Sequence, residues 1–420
     1  MFRRTVLTNG LQIVTSSMPS ARSVAMAVLI GGGSRYETTE QGGAFHFIEH
    51  LCFKGTRNHP TAKEISETIE GVGGVMNAST DPEVTTYWCK VARTHMSTGL
   101  ELLADMVRNP LFIPEEVEKE RGVILEELAM SWDHPDDRVS LLVDELLWPE
   151  HPLGRDTGGT PETVLGLSRE VLLKCMASQY VPSNIVVTVA GDVAHEEVVD
   201  VMHGYLGDWP SGEPGGWLPV WDEQRAPRVY LERRNSEQTH IALAMRGLPA
   251  NHPQRYVLYL LNTILGEGMS SRLFLELREE QGLVYGVNSS VSHFRDSGAL
   301  TVYAATDPRN AIQALKTIVT ELGKVKDDVS EAELSKAKEM AKGHLLLRLE
   351  DTRAVALWGG GQELLLGEIQ TPEEIVSHID AVTIEEVQTI ARTLISPQRF
   401  NLAVVGPHRG SGRFEKLLGA

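Results

Sequence analysis

Residues 42–56 place two histidines and a glutamate within an otherwise apolar stretch of the chain. Apolar residues on every side predict a buried helix, in which polar side chains need partners because burying them alone is costly. His46 and His50 are four residues apart, which puts both imidazoles on one helix face, and Glu49 flanks that face. Two imidazoles so placed can chelate a metal ion, and zinc suits nitrogen ligands. The alternative is a pair of core histidines bonded to backbone groups.

A catalytic zinc site needs a third protein ligand as well as an open coordination position. The acidic segment 114–128 reads as a helix and offers Glu120, Glu126 and Glu127. Glu120 and Glu127 are seven residues apart and share a helix face, whereas Glu126 points about 100° away. Glutamates on helices are usually solvated, so spacing alone does not choose among the three.

The elements around these residues recur along the chain. Residues 23–31 and 239–247 are both predicted to form a strand that ends at a glycine. The same pattern occurs at residues 186–191 and 401–406. The two pairs have nearly the same offset, which predicts two copies of one domain, although chance similarity of apolar strands is the alternative.

A segment rich in proline and glycine divides the copies. The predicted organisation is a zinc-bearing domain at 1–210, a linker at 211–228 and a degenerate second copy at 229–420. In the second copy, the positions of the two histidines and Glu49 fall near Asn262, Leu265 and Gly266, so this copy is expected to form scaffold and substrate wall.

Strands and long helices alternate within each half, without the regular single crossover helices of a doubly wound sheet. The predicted class is α+β, with helices packed on one face of a mainly antiparallel sheet. The predicted helices, beyond that at 44–53, are 61–71, 95–107, 114–132, 161–178, 195–206, 254–266, 270–281, 309–324, 330–350 and 383–395. The predicted strands are 11–17, 23–31, 84–93, 184–190, 239–246, 285–292, 298–305 and 399–405.

The segments 46–56 and 120–127 together resemble the pitrilysin (inverzincin) family of zinc metallopeptidases, whose signature is HxxEH. The similarity is greatest to the short branch that contains mitochondrial processing peptidase and its bacterial homologues, and it spans nearly the whole chain. The resemblance implies that Glu127 is the third zinc ligand and that Glu120 orients the metal site. It also implies a fold like those of LuxS and mitochondrial processing peptidase, with this chain forming half of a clamshell.

The same resemblance assigns residues to substrate binding. Asn77, Ala78 and Ser79 match the edge strand on which family members pair a peptide by β-addition, although an aromatic residue is common where this chain has Ser79. Arg278 and Tyr285 match a family pair that reaches substrate from the second domain and takes part in catalysis. Taken alone, the two would be interpreted as a surface arginine and a strand aromatic.

The resulting hypothesis is a zinc endopeptidase with one Zn²⁺ per chain, in which Glu49 is the general base on zinc-bound water. Its substrates would be extended peptides, enclosed in a chamber that two copies of the chain complete as a homodimer. The alternatives are an inactive peptide-binding or scaffold subunit, and a maturation protease dedicated to one precursor.

The net charge of the chain excludes some classes of binding partner. The 420 residues carry a net charge of −18, which argues against nucleic-acid and membrane-surface binding. Residues 1–212 hold 30 acidic and 16 basic side chains, against 27 and 23 in the remainder, so basic peptides are the expected substrates. The three scattered cysteines form no disulfide framework, and neither a signal peptide nor a membrane helix is apparent. A cytoplasmic location is therefore expected.

Overall fold

The computed structural model describes residues 2–221 and 223–419. Their packing divides the chain into two compact units. Unit 1 comprises residues 1–129, 155–218 and 346–371, and unit 2 comprises residues 130–154, 219–345 and 372–420.

Strands and helices alternate through both units. The strands are β1 (Phe2–Val6), β2 (Gln12–Ser17), β3 (Ser23–Ile30), β4 (Val75–Thr80), β5 (Thr85–Ala92), β6 (Ile185–Gly191), β7 (Arg228–Arg233), β8 (Thr239–Arg246), β9 (Val284–His293), β10 (Gly298–Thr306) and β11 (Asn401–Gly406). The helices are α1 (Ala44–Cys52), α2 (Ala62–Glu70), α3 (Met96–Arg108), α4 (Pro114–Asp133), α5 (Pro135–Leu147), α6 (Pro161–Gly166), α7 (Arg169–Gln179), α8 (His195–Leu206), α9 (Arg255–Gly266), α10 (Arg272–Phe274), α11 (Ala311–Lys324), α12 (Glu331–Arg348), α13 (Thr352–Leu366), α14 (Pro372–Ala381), α15 (Ile384–Leu394) and α16 (Gly412–Leu418). A π-helical turn, Leu275–Glu280, continues α10.

The sheet of unit 1 has the strand order β1-β2-β6-β3-β5-β4. Its pairings are antiparallel except for β2 with β6. The central strand β3 is almost wholly apolar, and both of its faces are buried. Val24, Met26 and Val28 lie in the core with the main helical layer, while Ala25 lies in a smaller cluster with Val355 of α13 on the other face. Helices therefore pack on both faces of this sheet, which departs from the prediction that they pack on one face only.

The sheet of unit 2 repeats this arrangement, with the order β7-β11-β8-β10-β9. Again one pairing, β7 with β11, is parallel and the others are antiparallel. The strands that suggested an internal repeat, β3 with β8 and β6 with β11, hold the same places in the two sheets. The predicted α+β class, with two similar sheet-and-helix domains, is confirmed.

Each packing unit contains a helix from the other half of the sequence. Helix α13 packs on β3 and β6 of unit 1, whereas α5 packs on β8 and β11 of unit 2. The close approach of α13 to its sheet favours glycine, since a Cβ on Gly360 would lie 2.5 Å from Leu29 Cδ1 and 2.9 Å from Thr188 Cγ2, and these side chains would have to shift. The packing units therefore do not follow the chain division at 211–228, which stays a prediction about two sequence copies.

None of the helices in the described parts of the chain combines the length and the hydropathy needed to span a bilayer.

Candidate metal centre

Helix α1, which carries His46, Glu49 and His50, begins at a strained backbone turn. Gly43 has a φ of +90°, and a Cβ there would lie 2.4 Å from the carbonyl oxygen of Gly158, so only glycine fits. The first turn of α1 is capped from outside, because the buried Glu37 carboxyl group accepts hydrogen bonds from the N–H groups of Gly43 (2.9 Å) and Phe45 (2.8 Å). A carboxyl group at this position satisfies N–H groups that have no partner within the helix.

The apolar residues of α1 fix its orientation. Phe45, Phe47, Ile48, Leu51 and Cys52 are fully buried in the core of unit 1. The histidines and the glutamate share the remaining face, where the side chains of His46 and His50 keep 23% and 16% exposure. This partial exposure leaves both imidazoles accessible to a ligand. The buried helix predicted from the sequence is therefore present, with its polar residues on the one face that is not packed.

Helix α4 brings its glutamates to that face. Glu127 Oε2 lies 3.8 Å from His46 Nε2 and 3.6 Å from His50 Nε2, and the two Nε2 atoms are 3.2 Å apart. Within the described chain, these three residues form the one cluster of histidine, cysteine or carboxylate side chains that is close enough to hold a metal ion. Glu120 lies seven residues before Glu127 on the same helix, and its carboxylate contacts Nδ1 of the His50 ring.

The donor set fits zinc. Tetrahedral coordination with bonds of about 2.0–2.1 Å places pairs of ligand atoms about 3.3–3.4 Å apart, close to the three separations observed. Glu120 Oε1 lies 2.9 Å from His50 Nδ1, and a hydrogen bond donated by this nitrogen leaves the Nε2 lone pair free for a metal. Lys54 Nζ lies 2.8 Å from Glu120 Oε2 and fixes this carboxylate in turn.

Electrostatics distinguish the two imidazoles. Burial, reinforced by the neighbouring His50, lowers the pKa of His46 to about 4, so this ring is neutral and able to bind a metal. Burial also acts to lower the pKa of His50, but the hydrogen bond to Glu120 and the charges of Glu127 and Glu120 outweigh it and raise the pKa. Burial acts to raise the pKa of Glu120, yet its bonds to His50 and Lys54 prevail and lower it. The Glu120 carboxylate is therefore anionic, and it holds the His50 ring in position.

Glu49 lies beside the cluster and has a different partner. The Thr80 hydroxyl, at the end of β4, donates a hydrogen bond of 2.5 Å to Glu49 Oε2. Burial raises the pKa of Glu49, and the bond from Thr80 opposes this only in part. A carboxyl group whose pKa is moved toward neutrality next to two histidines is suited to proton transfer.

Strand β4, which carries Asn77, Ala78 and Ser79, lies at the edge of the unit 1 sheet and pairs with β5 alone among the described strands. Asn77 and Ser79 are exposed, whereas Ala78 and Thr80 are half-buried. Helix α1 packs against this strand. The structure therefore presents an unpaired strand edge beside the candidate metal ligands, the arrangement that β-addition of a peptide requires.

Arg278 and Tyr285 belong to unit 2. Arg278 lies in the π-helical turn with its guanidinium 5.1 Å from the centre of the Phe274 ring. Tyr285 is on β9, the edge strand of the second sheet, with 61% exposure. Both are therefore placed on the surface of their own unit, and their roles toward substrate stay predictions.

In the second copy, other residues occupy the positions that hold His46, Glu49 and His50 in the first copy. Helix α9 follows β8 as α1 follows β3, and its end holds Asn262, Leu265 and Gly266, all buried. Asn262 Oδ1 accepts a hydrogen bond from the Ser289 hydroxyl, so this polar group serves packing. The role of this copy as scaffold and substrate wall stays a prediction.

Sequence reasoning missed three residues around the site. Glu37 caps α1, Thr80 holds Glu49, and Lys54 holds Glu120. Glu37 and Thr80 act from separate elements, for which no periodic signal exists. Lys54 lies two residues beyond the end of α1, so its position near Glu120 was accessible once α1 and α4 were paired.

The buried Glu37 cap predicts a pH-dependent stability. Burial raises the pKa of Glu37 from 4.5 to about 8, so the folded chain holds this proton more tightly than the unfolded chain. The free energy of unfolding should therefore fall as pH rises from 4.5 to 8, by an amount on the order of 3 to 5 kcal/mol attributable to this group. Glu37→Gln cannot titrate, so its stability relative to the wild type should rise by that amount over the same range in urea unfolding.

Glu40→Gln is the matched control, since Glu40 is exposed on the same segment. Its stability difference from the wild type should stay nearly constant over this pH range. An equally constant difference for Glu37→Gln would contradict the burial of a titrating carboxyl at the start of α1.

The chain is similar to known proteins over nearly its whole length. Residues 12–161 match the family model for Insulinase (Peptidase family M16), and residues 166–341 match that for the Peptidase M16 inactive domain. A Bacillus subtilis protein named as an uncharacterized zinc protease is 38% identical, covering 97% of this chain and 98% of its own length. A Mycobacterium leprae protein of the same description is also 38% identical, covering 96% and 92%.

The chain belongs to peptidase family M16, the pitrilysin family, and the resemblance noted in its sequence is confirmed. A structure described as the crystal structure of a protease from Helicobacter pylori has the same fold, with a TM-score of 0.90 over 97% of this chain and 99% of that one, at 24% identity.

Proposed function

We propose that this protein is a zinc endopeptidase in which His46, His50 and Glu127 hold one zinc ion per chain. The observation that carries the proposal is the convergence of their three ligand atoms, at 3.2 to 3.8 Å, beside a carboxylate that belongs to none of the three. When bound, zinc supplies Lewis acidity that polarises the scissile carbonyl and makes water more acidic. The names of the zinc-protease relatives support this metal.

Glu49 is the proton carrier in this proposal. Its carboxylate accepts a proton from the attacking water and returns it to the amine of the leaving peptide. Burial raises the pKa of Glu49, which favours both halves of this cycle near neutral pH. His46 and His50 lie on the same helix as Glu49, and Glu120 holds His50 in place.

The substrate is an extended peptide. An added strand along the free edge of β4 would take main-chain hydrogen bonds from the segment Asn77–Ser79, which selects an extended backbone over a folded one. Arg278 and Tyr285 contribute donors to the substrate carbonyls in this proposal and assist catalysis there. The excess of acidic side chains in residues 1–212 favours basic peptides over acidic ones.

A digest of a peptide library, read by mass spectrometry with and without a chelator, tests the proposal. Internal bonds of unstructured peptides should be cleaved, cleavage should stop in chelator, and added zinc should restore it. Cleaved peptides should be enriched in lysine and arginine, and this enrichment should weaken at high salt because screening reduces the attraction.

Purified protein without stoichiometric zinc and without cleavage would instead favour the inactive peptide-binding or scaffold subunit. Cleavage that continues at full rate in the chelator would contradict a metal mechanism. An enrichment that does not change with salt would remove the electrostatic argument for basic substrates while leaving the peptidase assignment intact. A single dominant product family would favour a dedicated maturation protease.

The homodimer and the cytoplasmic location implied by the sequence remain predictions. Light scattering of the purified protein measures the first directly.

A further inference from the structure

Thr80 is the final residue of β4, and its side chain lies on the half-buried side of the strand together with Ala78. This side faces α1, and the Thr80 hydroxyl donates its hydrogen bond to Glu49 Oε2 at 2.5 Å. No second side-chain or backbone donor to the Glu49 carboxylate is found in residues 2–221 and 223–419. The rotation of this carboxylate is therefore set by one hydroxyl group.

Thr80 is itself held rigidly. Its backbone pairs with Thr85 of β5, and the turn between the two strands is closed by a hydrogen bond from the Asp81 N–H to the Val84 carbonyl (2.8 Å). The side chain of a β-branched residue has few accessible rotamers, so a fixed backbone also fixes the hydroxyl.

A buried ion pair anchors the same turn. Arg35 donates its backbone N–H to the Pro82 carbonyl (2.9 Å), and its guanidinium pairs with Glu83, both side chains being almost fully buried. The guanidinium also lies 4.1 Å from the centre of the Trp217 ring. An ion pair that is shielded from water keeps its geometry because breaking it leaves uncompensated charges. The ion pair and the backbone hydrogen bond therefore hold the turn in a fixed position relative to α1.

We propose that Thr80 is the positioning residue for the general base. Its hydroxyl occupies Glu49 Oε2 and leaves Oε1 as the oxygen that accepts the proton. Because Thr80 ends the strand on which the peptide docks, one rigid element aligns both the substrate and the base. This inference rests on the proposed peptidase function and adds a residue that acts through Glu49.

The test compares Thr80→Val, which keeps the shape and removes the donor, with Thr80→Ser, which keeps the donor. For a zinc-loaded protein that cleaves a fluorogenic peptide, Thr80→Val should lower kcat by about 10- to 100-fold, the usual scale for a misplaced catalytic group. The KM should stay within about twofold, because Thr80 is not expected to bind substrate. Thr80→Ser should recover most of kcat, and zinc content should match the wild type in both.

Thr320→Val is the control, since Thr320 is an exposed threonine on α11, outside both the docking strand and the metal-ligand residues; it should have wild-type kinetics. A wild-type kcat for Thr80→Val, an increase in KM alone, or loss of zinc would each overturn the positioning role. If Thr80→Val does not fold, Thr80→Ala gives the same comparison with Thr80→Ser. Absence of cleavage by the wild type would instead contradict the proposed function, so the two failures are distinguishable.

Discussion

Replacing Glu49 with glutamine should reduce peptide cleavage by 10² to 10⁴-fold, the usual contribution of a general base. Glutamine has the same shape, and its amide oxygen can still accept the hydrogen bond that Thr80 donates to Glu49 in the wild type. It cannot accept a proton, so only the proton-transfer step is removed. Glu49 is outside the group of converging ligand atoms, so zinc content should not change.

The measurement is kcat for a fluorogenic peptide together with zinc per chain by elemental analysis. Glu70→Gln is the matched control, since Glu70 is an exposed glutamate at the end of α2 and should have wild-type activity. Full activity of Glu49→Gln with zinc bound would exclude Glu49 as the base. Loss of zinc from this variant would mean instead that Glu49 helps to hold the metal.

The local geometry of this candidate site was accessible from the sequence. His46 and His50 are separated by one helical turn, so their proximity follows from helix geometry once the segment is helical. The buried helix itself follows from the apolar residues that surround them, and α1 has the predicted burial. Relations within one element are accessible from the sequence because they depend on its period alone.

Contacts between elements were not accessible in the same way. The hydrogen bond from Thr80 to Glu49 joins a strand end to a helix, and the Glu37 cap reaches α1 from a preceding loop. Neither contact has a repeating pattern, since each depends on how the chain packs in three dimensions. Their residue types are also common in loops and turns, so nothing marked these two positions.

Two of the elements that the sequence prediction lacks have a similar cause. Helices α5 and α13 were not anticipated, and both pack on sheets of the unit formed mainly by the other half of the chain. The run Gly359–Gly361 lies within α13, where glycine normally weakens a helix. Tight packing against the sheet overrides this propensity, as the short distances at Gly360 show. Residues 161–178 read as one helix, but they form α6 and α7, separated by Leu167 and Ser168.

The choice between Glu126 and Glu127, which spacing left open, leads to the second large prediction. Glu127→Gln should abolish zinc retention and cleavage together, because it removes an anionic ligand atom that lies 3.6 and 3.8 Å from the two Nε2 atoms. Glu126→Gln is the closest possible control, since the neighbouring side chain points about 100° away around α4. Its zinc content and kcat should match those of the wild type.

The zinc affinity of Glu120→Gln should lie between those of Glu127→Gln and Glu126→Gln. This variant therefore distinguishes a residue that binds the metal from one that positions a ligand. Glu120 contacts His50 Nδ1 at 2.9 Å, so its loss should weaken zinc binding by about 10- to 100-fold while excess zinc restores cleavage. Excess zinc should not restore Glu127→Gln to the wild-type rate, because a missing ligand changes the coordination as well as the affinity. Measuring zinc retention after dialysis and kcat at saturating zinc distinguishes the three glutamates. Wild-type zinc retention by Glu127→Gln, or loss of zinc from Glu126→Gln, would assign the third ligand elsewhere on α4.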